Sequence, residues 1–304
     1  MTDHVEPLAP LATPPTEVRR VVYLGTPDIA VPPLVALHEA GFDIALVITA
    51  EDKRRGRGSK LVPTPVKERA IALGIPVSHD PNDAVTVGAD LGVVVAYGQL
   101  IRGPVLEQLP MVNLHFSLLP RWRGAAPVER AILAGDAETG VCVMALERGL
   151  DTGGVYRRQS LPIGTDATLE ALRADLVAVG SALLVTALRE GLGEAEPQAG
   201  EPTYAKKLET AEFRLAFSEP AVALHRRIRV GRAWCEFRGK RLRIWSSAVD
   251  SSRSDLLPGQ LDNDWVGTFD GALQLITVQP EGKARMDAAA WLNGAQPGPD
   301  DRLT

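Results

Sequence analysis

The sequence predicts an α/β protein in two parts: a doubly wound, Rossmann-like and mostly parallel sheet, then a small OB-like β-barrel of five strands. Three observations carry that prediction. From Arg19 to His115, apolar runs of four to seven residues alternate with helical stretches, the pattern of a parallel sheet covered on both faces. Residues 191–207 are polar and rich in glycine and proline, the makeup of a linker. Beyond them the apolar runs shorten and turn residues separate them, as in a small barrel.

Taken in order, "RVVYLG" forms the first strand, ended by Gly25, and a helix follows to Gly41. "DIALVIT" is the next strand, "TPVKERAIALG" a helix closed by Gly74, and "IPVSH" a further strand. "LGVVVAY" and "MVNLH" supply two more buried strands. After the helix "VERAILAG", the segment "GVCVMALERG" alternates as an antiparallel or edge strand does, and "GGVYRRQSLPI" comes next. The long helix "TLEALRADLVAVGSALLVTALREG" has apolar positions at helical spacing and closes a first domain over residues 18–190. In residues 208–304, "EPAVALHRRIR" reads as a helix, and "AWCEFRG", "RLRIWSSAV", "GTFDG" and "LQLITVQP" read as strands.

A chain of 304 residues favours two domains over one, and its 45% hydrophobic and 23% charged residues match ordinary globular usage. Residues 1–17 are proline-rich and lack a basic segment before an apolar core, so a disordered tail is expected there and not a signal peptide or anchor. The longest apolar run, residues 91–97, is far below the about twenty that a membrane helix needs. No membrane association is therefore expected. Cys142 and Cys235 lie far apart and outside metal-ligand spacing, which points to a reducing, cytoplasmic setting and to cysteines acting as small buried apolar residues.

The net charge of −5 speaks weakly against nucleic acid, but its distribution speaks for it. Residues 51–69 hold seven Lys/Arg against three Asp/Glu, and residues 225–243 hold eight against one. Attraction to phosphate depends on local patches more than on the sum.

The chemistry gathers around "MVNLHFSLLPRWRGAAPVERAI", residues 111–132. Side chains alternate faces along a strand, so Asn113 and His115 point the same way. They stand at the carboxyl end of a parallel strand, where ligands bind in open α/β sheets. Pro120 and Gly124 stop the strand and let a loop fold across its end. Further on, "GLDTGG" sets Asp151 between glycines, in a turn able to bring a carboxylate to the histidine. A lone histidine is more often a core residue bonded to a carbonyl, but the strand-end position, the Asn two residues back and the Gly-flanked Asp favour a site. No Ser or Cys nucleophile adjoins them, so the trio suits an attack made by the substrate itself. Asn113 can donate to a carbonyl oxygen that becomes an oxyanion, and His115, kept cationic by Asp151, can donate from another side or take a proton from an attacking amine. No His/Cys/Asp/Glu cluster has ligand spacing, so no metal is expected.

"NLHFSLLPRWRGAAPVERAI" with "GLDTGGVY" resembles the active-site signature of the folate-dependent formyltransferases. The resemblance runs from Val21 along nearly the whole chain, through "VYLGTPDIAVPPL", "VVVAYGQLI", "TYAKKL" and "LITVQPEGKARMDAAAWLNG". "GRGSKLVPTPVK" and "VQPEGKARM" are similar to the branch acting on methionyl initiator tRNA. The resemblance implies a formyltransferase catalytic domain and a tRNA-binding domain, with 10-formyltetrahydrofolate as donor and the α-amine of methionyl initiator tRNA as acceptor. It implies Asn113, His115 and Asp151 as the catalytic residues. Tyr97, Gly98, Gln99 and Leu100 would meet the pterin, and Ser117, Leu118, Leu119 and Pro120, also cofactor-binding, would with Gly124 shape the loop beneath the trio. Lys53, Arg54, Arg55, Arg57 and Lys60 would reach the acceptor end of the tRNA, and Arg226, Arg229 and Arg241 would contact it from the second domain. A cytoplasmic monomer is implied.

Other readings stay open. The same site would serve an enzyme formylating a small amine such as an amino sugar, or a formyltetrahydrofolate hydrolase. A tRNA-binding protein with a degenerate catalytic domain is opposed by the intact trio. A dinucleotide-dependent dehydrogenase is opposed by "GTPDIA" after the first strand in place of G-x-G-x-x-G.

Overall fold

A computed structural model describes residues 9–54 and 61–304. The described residues divide into two compact units, one of residues 9–54, 61–127, 139–161 and 173–205, the other of residues 128–138, 162–172 and 206–304.

The first unit is built on strands β1 (Arg20–Gly25), β2 (Asp43–Ile48), β5 (Val77–Ser78), β6 (Leu91–Val95), β7 (Met111–His115), β9 (Glu138–Ala145) and β10 (Val155–Pro162). A hairpin of β3 (Lys53–Arg54) and β4 (Leu61–Val62) and a pair formed by β8 (Arg123–Gly124) and β11 (Tyr204–Ala205) complete its strands. The helices of the chain are α1 (Val31–Glu39), α2 (Pro65–Ala72), α3 (Gly103–Leu106), α4 (Pro127–Ala134), α5 (Leu169–Glu190), α6 (Ala221–Arg229) and α7 (Ala288–Ala295).

The large sheet runs β10-β9-β7-β6-β1-β2-β5. Strands β5, β2, β1, β6 and β7 are parallel, and β9 returns antiparallel to β7. Val21 to Leu24 are completely buried, as a strand covered on both faces requires. The chain winds outward from β1 through β2 to β5 and then restarts at β6 on the other side of β1, so the order reverses between β1 and β6. That reversal opens a crevice at the strands' carboxyl ends. The expected antiparallel strand "GVCVMALERG" is present, but as an interior strand; β10 is the edge.

Helix α2 begins as its sequence directs, with Thr64 Oγ1 accepting from Lys67 N at 3.1 Å and Pro65 in the first turn. Helix α5 is long and apolar enough to cross a membrane by length and composition alone. Its buried face, which includes Leu176, Gly180 and Leu184, instead covers the sheet: Gly180 lies against Leu114 and Val141.

The tail expected over residues 1–17 is corrected for residues 9–17. Ala12 N donates to Leu106 O at 3.0 Å, Arg148 Nη2 donates to Ala9 O at 2.6 Å, and Leu11 packs on the apolar cluster around Met111 and Leu106. Leu11 supplies apolar surface that the polar, proline-rich context of the segment concealed.

The named strands of the second unit pair antiparallel, and one isolated bridge, Arg214 with Trp234, is parallel. Strands β12 (Trp234–Phe237), β13 (Lys240–Asp250), β14 (Leu261–Asp262), β15 (Trp265–Gly267), β16 (Ala272–Pro280) and β17 (Met286–Asp287) follow the order β12-β13-β16-β15-β14, with β17 on β16. Residues 302–304 join the two edges, pairing Thr304 with Glu236 on β12 and Leu303 with Gly259 before β14, which closes the hydrogen-bonded ring. Register shifts at Ser246 bend β13 to allow this closure. The core sets Leu224 and Ile228 of α6 and Trp291 of α7 against Phe237, Leu242 and Leu273; the Phe237 and Trp291 rings meet edge-on at 5.2 Å. "GTFDG" is not a strand. Its first residue ends β15 and the rest form the turn to β16, held by Thr268 Oγ1 donating to Gly271 O at 2.8 Å, a turn that the Asp-Gly pair favours.

Candidate active site

Asn113 and His115 lie on one face of β7, two residues apart at its carboxyl end. Asn113 is half-buried, and among the described residues its carboxamide has no hydrogen-bond partner. His115 is buried, with Nε2 at 2.9 Å from Trp122 O. A carbonyl only accepts, so Nε2 carries the proton of that bond. Nδ1 faces Asp151 Oδ2 at 3.7 Å, too long for a hydrogen bond and within ion-pair range of a protonated ring. The carbonyl-bonded histidine and the site histidine are thus the same residue.

Asp151 reaches this point from a loop of unusual backbone. Its φ of 51° is left-handed, and its carboxylate is held by Gly124 N donating to Oδ2 at 2.7 Å. Gly153 lies so close to the end of β9 that a Cβ there would collide with Ala145 O. The glycines of "GLDTGG" therefore let the loop lie down on the sheet and raise Asp151.

The opposing loop is tied down as firmly. Ser117 Oγ donates to Arg121 O at 2.6 Å, and Trp122, also left-handed at φ 64°, donates its N–H to Thr203 Oγ1 at 2.8 Å. β8 pairs with β11 in parallel, with Arg123 N to Thr203 O at 2.8 Å and Ala125 N to Ala205 O at 2.9 Å. Gly124 has φ 116°, and a Cβ on it would stand 3.0 Å from Ala205 O, so glycine is required twice over.

The structure brings Asn113, His115, Asp151 and Gly124 together. It treats the expected folate residues unequally. Tyr97 to Leu100 follow β6 at the crevice where strand order reverses, with Thr26 Oγ1 donating to Tyr97 O at 3.0 Å. Gly98, Gln99 and Leu100 are exposed, Leu100 by 79%. The Tyr97 ring is buried and its hydroxyl has no partner among the described residues; burial, with Asp80 second, pushes its pKa up. The Ser117 hydroxyl is spent within its own turn, and Leu119 packs inward on Cys142, Met144 and Val155, so these two side chains brace the loop. Leu118 and Pro120 are half-buried.

Sequence reasoning missed a cavity of about 500 Å³ in the first unit, lined by Leu106, Met111, Leu146, Arg123, Glu147, Tyr156 and Gln198 among others. Met111 lies two positions before Asn113 on the same strand face, which was the available signal. Burial, with Glu147 second, raises the Tyr156 pKa. The volume falls in the range of small-molecule pockets. Among the described residues no group of three or more His, Cys, Asp or Glu side chains is placed to hold a metal ion.

The basic residues also divide. Lys53 and Arg54 are exposed on the β3–β4 hairpin; Arg55, Arg57 and Lys60 lie outside the described residues. Arg241 is exposed and stacks over the Trp234 ring at 4.1 Å, with Arg214 over the same ring at 5.5 Å. Arg226 is half-buried, Nη1 at 3.5 Å from Ala134 O. Arg229 is corrected: it is 8% exposed, and its Nη1 donates to Gly164 O and Ala167 O, so it fastens the second unit internally and is not available to a partner. It is one of three arginines in four positions of the helix, and that run concealed that only one of them faces inward.

Comparison with known proteins identifies the family. The model of the formyl transferase family matches residues 19–188, and that of the formyl transferase C-terminal domain matches residues 207–296. The chain is 43% identical over 294 residues to the methionyl-tRNA formyltransferase of Ruegeria pomeroyi, covering 90% of this chain and 97% of that protein. It is 42% identical over 301 residues to the methionyl-tRNA formyltransferase of Symbiobacterium thermophilum, covering 90% and 92%. The fold is shared with the N-formyltransferase of Helicobacter canadensis solved with folinic acid and dTDP-3-aminofucose, at TM-score 0.66 and 17% identity over 86% of this chain and 99% of that one. It is shared also with HypX from Aquifex aeolicus solved with tetrahydrofolic acid, at TM-score 0.63 and 15% identity over 93% of this chain, which spans about half (48%) of that protein. With both family models matched in order and near-full-length relatives above 40% identity, the chain belongs to the formyl transferase family, in its methionyl-tRNA formyltransferase branch.

Proposed function

We propose that the chain transfers the formyl group of 10-formyltetrahydrofolate to the α-amine of methionyl initiator tRNA, giving the formylmethionyl-tRNA used in translation initiation. The observation that carries the reading is the unpartnered Asn113 carboxamide beside a histidine whose two ring nitrogens face acceptors, Trp122 O and Asp151 Oδ2. An α-amine of ordinary pKa, about 7.7–8.0, is substantially neutral at physiological pH and can attack the formyl carbon. Asn113 donates to the formyl oxygen as it becomes an oxyanion. With the Nε2 proton committed to Trp122 O, the free lone pair of the neutral ring is on Nδ1, so the amine proton is accepted there, where Asp151 steadies the resulting charge. The C–N bond to the donor breaks, and the proton passes to the departing tetrahydrofolate nitrogen.

For the donor we assign the exposed Gly98–Leu100 loop and the cavity beside Met111 and Leu146: an apolar lining with a few polar groups suits a flat heteroaromatic ring. For the tRNA we assign Lys53 and Arg54 of the hairpin and Arg241 stacked on Trp234, exposed cations of the kind that meet phosphates. The protein is read as a cytoplasmic monomer. The test is direct: incubate it with 10-formyltetrahydrofolate and methionyl initiator tRNA, with free amino sugars as competitors. The formyl group is expected on the methionyl amine, and its appearance on the amino sugar alone would refute the reading.

A further inference from the structure

Gln198 belongs to the stretch whose composition reads as a linker, yet every hydrogen-bonding group of its side chain is engaged. Nε2 donates to Asp151 O and to Gly153 O, each at 2.8 Å. Oε1 accepts from Arg123 Nε at 3.1 Å and from Arg123 Nη2 at 2.7 Å. One amide thus ties the Asp151 loop to the residue just before Gly124, whose N–H holds the Asp151 carboxylate. The site is fixed in a closed circuit: Gly124 grips the carboxylate end of Asp151, Gln198 grips its backbone end, and Arg123 joins the two grips.

The circuit answers a physical need. Asp151 sits at φ 51°, a conformation that a residue with a side chain leaves unless its surroundings hold it. If the loop relaxes, the 3.7 Å approach to His115 Nδ1 is lost first, since no direct hydrogen bond defends it. Gln198 itself is held by pairing on both sides, Glu196 with Val155 and Thr203 with Trp122. We infer that Gln198 is a positioning residue for formyl transfer, acting through the backbone of Asp151 and Gly153 to hold the Asp151 carboxylate against His115; this rests on the formyl-transfer reading.

The test compares Gln198→Met, which keeps length and volume without the amide, with Gln198→Glu, which keeps an acceptor for Arg123 but turns an oxygen toward the two carbonyls. Two readouts are taken on the full-length protein: transfer kinetics on methionyl-tRNA, and amide hydrogen exchange across residues 149–154. Both variants are expected to lower kcat about tenfold to a hundredfold at unchanged KM for methionyl-tRNA, the scale of a small misplacement of a reacting group. Exchange in the loop should quicken with Tm nearly unmoved. Combining Gln198→Met with Asp151→Asn should cost no more than Asp151→Asn alone, because both act through one carboxylate. Parental kcat in Gln198→Met, unchanged loop exchange, or additive losses in the double variant would each overturn the inference. If the parent protein itself does not formylate methionyl-tRNA, the functional reading fails, and loop exchange still decides whether Gln198 holds Asp151.

Discussion

Replacing Asp151 by Asn isolates the charge of the site from its shape. The carboxylate accepts from Gly124 N at 2.7 Å, and an amide oxygen can take over that bond by rotating, so the loop keeps its anchor. What disappears is the negative charge 3.7 Å from His115 Nδ1. At an effective dielectric of about 20, a full charge pair at that separation is worth roughly 4 kcal/mol. Asp151 and His115 are both buried, so little solvent screening reduces this. With each ~1.4 kcal/mol worth tenfold, the imidazolium that forms as the amine loses its proton is disfavoured by up to about a thousandfold. The expected outcome is a kcat lower by a factor of about 10² to 10³, unchanged KM for methionyl-tRNA, unchanged folate affinity and an altered pH–rate profile. Steady-state transfer assays across pH, with donor binding measured by calorimetry, provide the check. A variant with parental kcat, or one whose whole loss lies in KM, would show that Asp151 only shapes a turn.

Gly153→Ala should force the loop off Ala145 O, at a cost of about 2–3 kcal/mol; thermal unfolding should show it as a fall in Tm of roughly 4–12 °C, with transfer slowed as well. Arg241→Ala should raise KM for methionyl-tRNA, leave donor binding alone and reduce the salt slope of tRNA binding by about one, and an unaltered slope would remove Arg241 from the interface. His225 is bonded to Ser247 Oγ at 2.9 Å and Asp166 Oδ1 at 3.2 Å, and burial, then the Arg229 charge, lowers its pKa below the ordinary 6.5. A lowered histidine pKa favours the neutral ring in the folded state, so its contribution to stability is present above the ordinary value and lost as pH falls below it. His225→Gln should therefore flatten the decline of Tm on acidification below about pH 6.5; an equally steep decline would assign that decline to other groups.

The sheet was legible because its strands are the long apolar kind, and β7 announced itself further by carrying Asn113 and His115 with period two. Asp151 could be found because glycines flank it. The partner that fixes it could not: Gln198 bonds across 47 positions to Asp151 O, and a polar residue in a polar stretch carries no periodicity. The β8–β11 pair is two residues long on each strand, below any pattern length. In the basic run of α6, composition marked the charges but not the helical phase that turns Arg229 inward and leaves Arg226 half-buried. "GTFDG" misled because Thr and Phe are good strand formers, while the Asp-Gly pair, a stronger local signal, decided for a turn.

The bonds from Thr203 to the Trp122 loop have a consequence for the order in which the molecule is made. Trp122 and Thr203 stand 81 positions apart, and closing a stretch that long costs roughly 4 kcal/mol of configurational entropy. All seven strands of the large sheet are complete by Pro162, so the framework can form on a growing chain before Thr203 has been synthesised. A nascent polypeptide at that stage owns Asn113, His115 and Asp151 but not the strand that clamps the loop around them. On the proposed reading, catalytic competence is a late event of biosynthesis, reached only once Thr203 and Ala205 are in place to clamp the loop. Protease protection of residues 121–126 in chains arrested at increasing length would display the step.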